Sequence, residues 1–182
     1  MKWVIGSDIH GDEVCCRQLL EAYRREGGDR LLLLGDLLYH GPRNDLPEHY
    51  RPKGVLSQLN ELSREIYCVR GNCEAEVDQM VLTFPVMADY CLLESGGLRI
   101  FATHGHLYNI GTPPPLLEGD VLLHGHTHVP AAEHLPDGYW YLNPGSVSLP
   151  KADSPKSYMT LEGRTFRWHR LADGAPWKEL TI

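Results

Sequence analysis

No apolar run in this 182-residue chain approaches the ~18 residues a membrane-spanning helix needs. No Lys- or Arg-rich stretch occurs, and the formal net charge is −7. Phosphate-rich polymers are held mainly by Lys and Arg, so stable non-specific nucleic-acid binding is not expected. No C-x-x-C pair occurs among Cys15, Cys16, Cys68, Cys73 and Cys91, and their number is odd. A disulfide framework and a zinc ribbon are both disfavoured, and reduced thiols fit better. The first residues, Met1 to Gly6, turn polar too soon for a signal peptide, which makes the cytoplasm the expected location. There is no internal repeat, low-complexity tract or linker. The length points to one domain over residues 1–182, able to bury a full core without staples.

What is present is a series of short apolar runs alternating with helical patterns. Trp3 to Ser7, Leu31 to Leu34 and Ile66 to Val69 read as buried strands. Between the first two, Leu19, Leu20 and Tyr23 recur at helical spacing over Asp12 to about Arg25, closed by Gly27-Gly28. Val55, Leu56, Leu59 and Leu62 mark a shorter helix. His40 to Pro52 has no period and carries three prolines, so it is a loop. The second half is richer in strands. Tyr90 to Glu94 and Arg99 to Thr103 flank a Gly96-Gly97 turn, and Val121 to Leu123, Tyr139 to Leu142, Ser157 to Leu161 and Thr165 to Leu171 follow. A βαβαβ half followed by a strand-rich half packs as a layered α/β structure.

The chain has ten histidines, and several sit at strand ends with other ligand-type residues. The five clusters are Asp8-Ile9-His10, Gly35-Asp36, Gly71-Asn72, His104 and Gly125-His126-Thr127-His128. In open α/β sheets, ligands bind beyond the carboxyl ends of the strands, where all five would gather. Imidazole, carboxylate and amide oxygen together suit divalent transition metals. In extended chain, residues two apart face one side, so Asp8 with His10, and His126 with His128, would reach one ion. The glycines before Asp36, Asn72 and His126 would let the backbone turn tightly. Each cluster alone is weak. An isolated D-x-H is more often a turn with a surface histidine, and a Gly-Asp or Gly-Asn usually marks a turn. Five such strand ends in one order are specific.

That order resembles the calcineurin-like metallophosphoesterases, whose signature is D-x-H, G-D, G-N, H and G-H-x-H. The likeness is nearest to the small bacterial YfcE-type phosphodiesterases. Gly35 to Asn44, Gly71-Asn72-Cys73, Thr103 to His106 and Asn143 to Val147 carry it. The resemblance implies a four-layer αββα sandwich and a two-metal hydrolytic site. By family position, Asp8, His10, Asp36 and His128 would hold one ion. Asp36, Asn72, His104 and His126 would hold the other, with Asp36 bridging. Manganese is the metal first expected, with zinc, iron, cobalt or nickel also suited to these ligands. The implied activity is hydrolysis of small phosphodiesters by a hydroxide shared between the ions. A homo-oligomer is also implied. A phosphomonoesterase on the same site is one alternative, and a protein-interaction scaffold on the same fold is another, because fold does not dictate function. A scaffold is free to lose ligands, and this chain has an acceptable residue at every position.

One departure stands out. Many members read Gly-Asn-His, and that histidine is thought to protonate the leaving group; here Cys73 follows Asn72. A thiol is a poorer acid near neutral pH than an imidazolium. His106, two residues after His104, is the candidate replacement. Arg43 is a candidate phosphate clamp through its planar fork. His40 could line the same rim, although a solvated loop histidine is the simpler reading. Specificity is expected from the His40 to Pro52 loop and the Pro113 to Pro115 loop.

Overall fold

The computed structural model describes residues 1–182. Eleven strands and three helices follow in the order β1 (Lys2–Gly6), α1 (Glu13–Arg25), β2 (Arg30–Leu33), α2 (Pro52–Asn60), β3 (Ile66–Cys68), α3 (Glu76–Val81), β4 (Tyr90–Ser95), β5 (Leu98–Thr103), β6 (Val121–His124), β7 (Ala131–His134), β8 (Trp140–Asn143), β9 (Ser157–Glu162), β10 (Thr165–Arg170) and β11 (Pro176–Thr181). They form two sheets. The first has the strand order β11-β10-β9-β1-β2-β3, and the second β4-β5-β6-β8-β7. β1, β2 and β3 run parallel, as do β5, β6 and β8.

The apolar runs are continuous because their strands are covered on both faces. Successive side chains point to opposite sides of a strand. Val4, Leu31 and Leu33 therefore pack under the helices with Leu19, Leu20 and Leu59. Ile5, Leu32 and Leu34 face the other way, into a second core with Ile100, Leu123, Phe166 and Trp168 between the sheets. Full burial of each such leucine is worth ~1.5–3 kcal/mol, so the leucine run anchors both cores. The far side of the second sheet has a smaller core, where Phe101, Leu122 and Tyr139 pack with Tyr108, Leu116 and Leu135. The layered sandwich is thus present. Its outermost layer over the second sheet is built from irregular chain around residues 104–120 rather than from a helix.

α1 begins at Asp12, whose side chain accepts the Cys15 N–H at 2.9 Å. Its inner face buries Cys15, Cys16, Leu19, Leu20 and Tyr23, and the chain leaves through Gly27 at φ 63°. α2 starts at Pro52, three residues before the first apolar residue of its pattern, because proline suits the first turn of a helix. Three elements carry no clear sequence signal. α3 buries no residue, β7 is Ala-Ala-Glu-His, and β11 is an exposed edge strand.

Candidate metal centre

The parallel strands β1, β2, β3, β5 and β6 bring their carboxyl ends to one edge, across both sheets. Backbone pairing continues past β1 and β2: the Asp8 N–H donates to Gly35 O at 3.1 Å and the His10 N–H to Asp36 O at 2.8 Å. This stitches the Asp8-Ile9-His10 turn to the Gly35-Asp36 turn.

The chain at these clusters is not extended, which corrects the spacing argument. Asp8, His10, Asp36, His126 and His128 all have positive φ, between 50° and 63°. Left-handed backbone at a non-glycine residue is costly and clusters at functional sites. Here it turns the alternate side chains inward. The glycine argument also changes. Gly71 and Gly125 do not have positive φ; they are bare because other groups approach too closely. A Cβ on Gly71 would collide with the Asp36 carboxylate, and one on Gly125 with the Ser7 hydroxyl and the Asp8 carboxylate.

The ligand atoms converge in three groups that could each hold an ion: Asp8, His10 and His128; Asp36, His104 and His126; and, overlapping both, His10, Asp36 and Cys73. Asp36 Oδ2 lies 3.6 Å from His10 Nε2 and 3.4 Å from His104 Nε2, so it faces both. Asp8 Oδ1 lies 3.3 Å from His128 Nε2 and 3.6 Å from His10 Nε2. Asn72 Oδ1 is 3.2 Å from His104 Nε2, which is 3.1 Å from His126 Nδ1.

Hydrogen bonds behind the rings set their tautomers. A carbonyl only accepts, so each Nδ1 facing one must donate. His10 donates to Tyr39 O at 2.9 Å, His104 to Leu34 O at 2.6 Å and His128 to Leu149 O at 2.5 Å. In neutral rings, Nε2 then carries a lone pair into the site, as a metal-binding histidine requires. His10 Nε2 and His128 Nε2 lie 3.3 Å apart. Two lone pairs at that distance need a cation between them, either a proton or a metal. Asp8 Oδ1, fully buried, has no hydrogen-bond partner and points into the same space. The residues present therefore fit divalent ions.

The titration of the site expresses the same demand. Burial alone would lower the His104 pKa, but the Asp36 and Asp8 carboxylates outweigh it and push it up to about 9. His10 is raised for the same reasons, against burial and chiefly by Asp8. Burial opposes ionisation of Asp8, yet the adjacent His10, His128 and His104 rings hold it well below the usual carboxylate range. His126 goes the other way: burial, and then the charge on His104, lower it to about 4.

A polar cavity of about 380 Å³ opens over these groups. Asp36, Asn72, His126 and His128 form its floor, and Arg43, Cys73 and Lys151 are in its walls. Arg43 and Cys73 are thus where the sequence places them. Burial, and then the nearby Asp36 charge, push the Cys73 thiol far above its usual range in the metal-free chain. His106 does not line this cavity. Its ring centroid is 5.5 Å from that of His104, and its buried Nδ1 has no partner. His40 does not line it either; its ring sits between those of Tyr39 and Tyr50. Of the two expected specificity loops, residues 41–44 reach the cavity, while Pro115 borders a separate cleft beside Tyr90 and Leu92.

Sequence reasoning assigned no role to Glu74, Ser148 or Lys151. Glu74 accepts backbone N–H bonds from Asp36, Leu37 and Gly71 at 2.6–2.8 Å. Its place in the Gly-Asn-Cys-Glu run was a usable signal. Ser146 and Ser148 each donate to Asp8 O at 2.9 Å, and Asn143 donates to Gly125 O at 2.8 Å. The turn after β8 therefore holds both histidine-bearing turns. Lys151 has no local sequence signal at all.

With this edge in view, the chain can be assigned by descent: it belongs to the calcineurin-like phosphoesterase superfamily, whose domain model matches residues 1–165. That family is hydrolytic and metal-dependent. Phosphodiesterase YfcE of Escherichia coli strain K12 is 46% identical over 162 residues, covering 89% of this chain and 88% of the relative. The solved structure of YfcE, described as a phosphoesterase from E. coli, superposes with a TM-score of 0.95 at 42% identity, over 100% of both chains. A Zn-complexed Vps29 from Entamoeba histolytica shares the fold, with a TM-score of 0.63 at 20% identity, over 100% of this chain and 99% of the other.

Proposed function

We propose that this chain is a binuclear metal-dependent phosphodiesterase acting on small phosphodiesters. In this reading Asp8, His10, Asp36 and His128 hold one divalent ion, and Asp36, Asn72, His104 and His126 the other. The observation that carries it is Asp36 Oδ2 standing between His10 and His104, whose Nδ1 atoms are tied back to carbonyls. The likeness to YfcE over most of both chains supports the diester as substrate. Bound ions would supply positive charge to the phosphoryl oxygens and acidify the attacking water.

The chain's own residues do the rest. Asp36 would balance the charge of both ions. The amide of Cys73 donates to Asp36 Oδ1 at 2.9 Å and fixes the carboxylate plane. Arg43 and Lys151 place cationic groups in the cavity wall, where they attract and orient an anionic substrate. Cys73 is small beside them, which leaves room for the second ester group of a diester. Manganese is the metal we assign first, and the five free thiols suit a reducing cytoplasm. A scaffold role has no observation of its own in favour, since every ligand position is filled.

The test is metal removal. A chelator should abolish hydrolysis of bis(4-nitrophenyl) phosphate, and Mn²⁺ should restore it best. The active protein should contain about two ions per chain. Asp36→Asn should lose metal and activity together. Full activity in metal-free protein would overturn the reading.

A further inference from the structure

The polar cavity is bounded on one side by Cys73, and the same side chain lines a second cleft of about 360 Å³. The two differ in character. The first is charged and floored by ligand atoms. The second is walled by Tyr39, Tyr50, Ala75 and Val77. Its one carboxylate, Asp78, is engaged by the Ala75 N–H at 2.8 Å, at the start of α3.

This cleft leaves large apolar groups open to water. Val77 is 58% exposed and Tyr39 is 42% exposed. Its walls are nevertheless fixed. The rings of Tyr39 and Tyr50 both meet the His40 ring edge to face, at 4.6 Å and 5.3 Å between centroids. Tyr50 lies directly on the Asp8-to-Gly11 turn, where a Cβ on Gly11 would meet its ring. The Tyr39 carbonyl accepts a hydrogen bond from His10 Nδ1–H at 2.9 Å. The cleft is therefore tied to the candidate metal centre through backbone, and the two spaces meet at a residue with a small side chain.

We propose that this cleft is a subsite for one aromatic ester group of a diester whose phosphate occupies the polar cavity. This rests on the phosphodiesterase reading and adds the substrate class: a diester with a flat, uncharged aryl alcohol on one side. A ring placed there would leave water and meet the faces and edges of Tyr39 and Tyr50, which aromatic groups favour. The cleft also explains why apolar side chains border a charged site without forming part of any core.

The probe is diphenyl phosphate, with dimethyl phosphate as the ringless control. Both are titrated into Zn²⁺-loaded protein while the methyl NMR signals of Ala75 and Val77 are followed. Diphenyl phosphate should move both signals, and dimethyl phosphate should move neither. Tyr39→Ala and Val77→Asn change exposed groups without adding charge, and each should weaken diphenyl phosphate ~5-fold or more. Methyl signals that stay still at saturating diphenyl phosphate would overturn the subsite, whatever the turnover. Failure to hydrolyse any diester, with the methyl shifts present, would instead overturn the phosphodiesterase reading and leave the aryl site standing.

Discussion

The carboxylate of Glu74 grips the backbone of Asp36: Oε2 accepts the Asp36 N–H at 2.8 Å, and Oε1 accepts the next N–H, of Leu37, at 2.7 Å. Oε2 also takes the Gly71 N–H at 2.6 Å, so one side chain ties the β2 turn to the β3 turn. Burial and the Asp36 charge push the Glu74 carboxyl up, while the three amides pull it back.

Glu74→Ala should therefore act at a distance from the ions. It leaves three buried N–H groups without an acceptor, for a loss of at least ~3 kcal/mol. Urea unfolding of the metal-free protein reads the stability, and elemental analysis should show reduced metal retention. Native-like stability with full metal content would show that the turns hold themselves.

His106→Ala separates a proton donor from a bystander. Loss of a working general acid costs ~10²–10⁴-fold in turnover. His106 lies outside the cavity wall, and burial, then the His104 charge, lower its pKa. We expect metals to be retained and kcat for bis(4-nitrophenyl) phosphate to fall by less than ~10-fold. A drop of 10³ with both metals present would restore His106 as the acid.

Cys73→His tests the diester preference. An imidazole there returns a titratable donor and a possible positive charge beside the phosphate. It also fills the junction between the polar cavity and the apolar cleft. The ratio of monoester to diester kcat/KM should rise, measured with 4-nitrophenyl phosphate and bis(4-nitrophenyl) phosphate at verified metal content. A ratio that is unchanged or lower would remove Cys73 as the determinant.

His104 links stability to pH. Its pKa is raised from 6.5 to about 9 in the folded, metal-free chain. A raised histidine contributes stability that is fully present below the unfolded pKa and lost as pH rises through the folded one. The metal-free protein should therefore lose this contribution between pH 6.5 and 9. A bound ion takes the place of that proton, so metal affinity should rise across the same window. Thermal melts with and without Mn²⁺ should diverge as pH increases. Parallel curves would mean that His104 does not exchange a proton for metal.

Much of this was legible in the residues. The leucine run and the strand-end clusters are local signals, and each marks its element because burial and turn chemistry act over a few residues. The seven positions we propose as ligands were readable because the parallel strands β1, β2, β3, β5 and β6 end at the same edge. Other features depend on chain that is distant in sequence. Whether Asp8 and His10 point inward is decided by left-handed turns held by Ser146 and Ser148, 138 and 140 positions away. Gly125 is bare because Ser7 and Asp8 pack against it, a contact no local pattern reveals. β7, β11 and α3 have little burial of their own, so their strand or helix state comes from neighbours rather than from propensity. Lys151 reaches the cavity, and Tyr39 and Val77 form one cleft, because folding brings two loops and α3 to one rim. Local chemistry determined which residues can bind metal; long-range packing decided where they meet and what lies beside them.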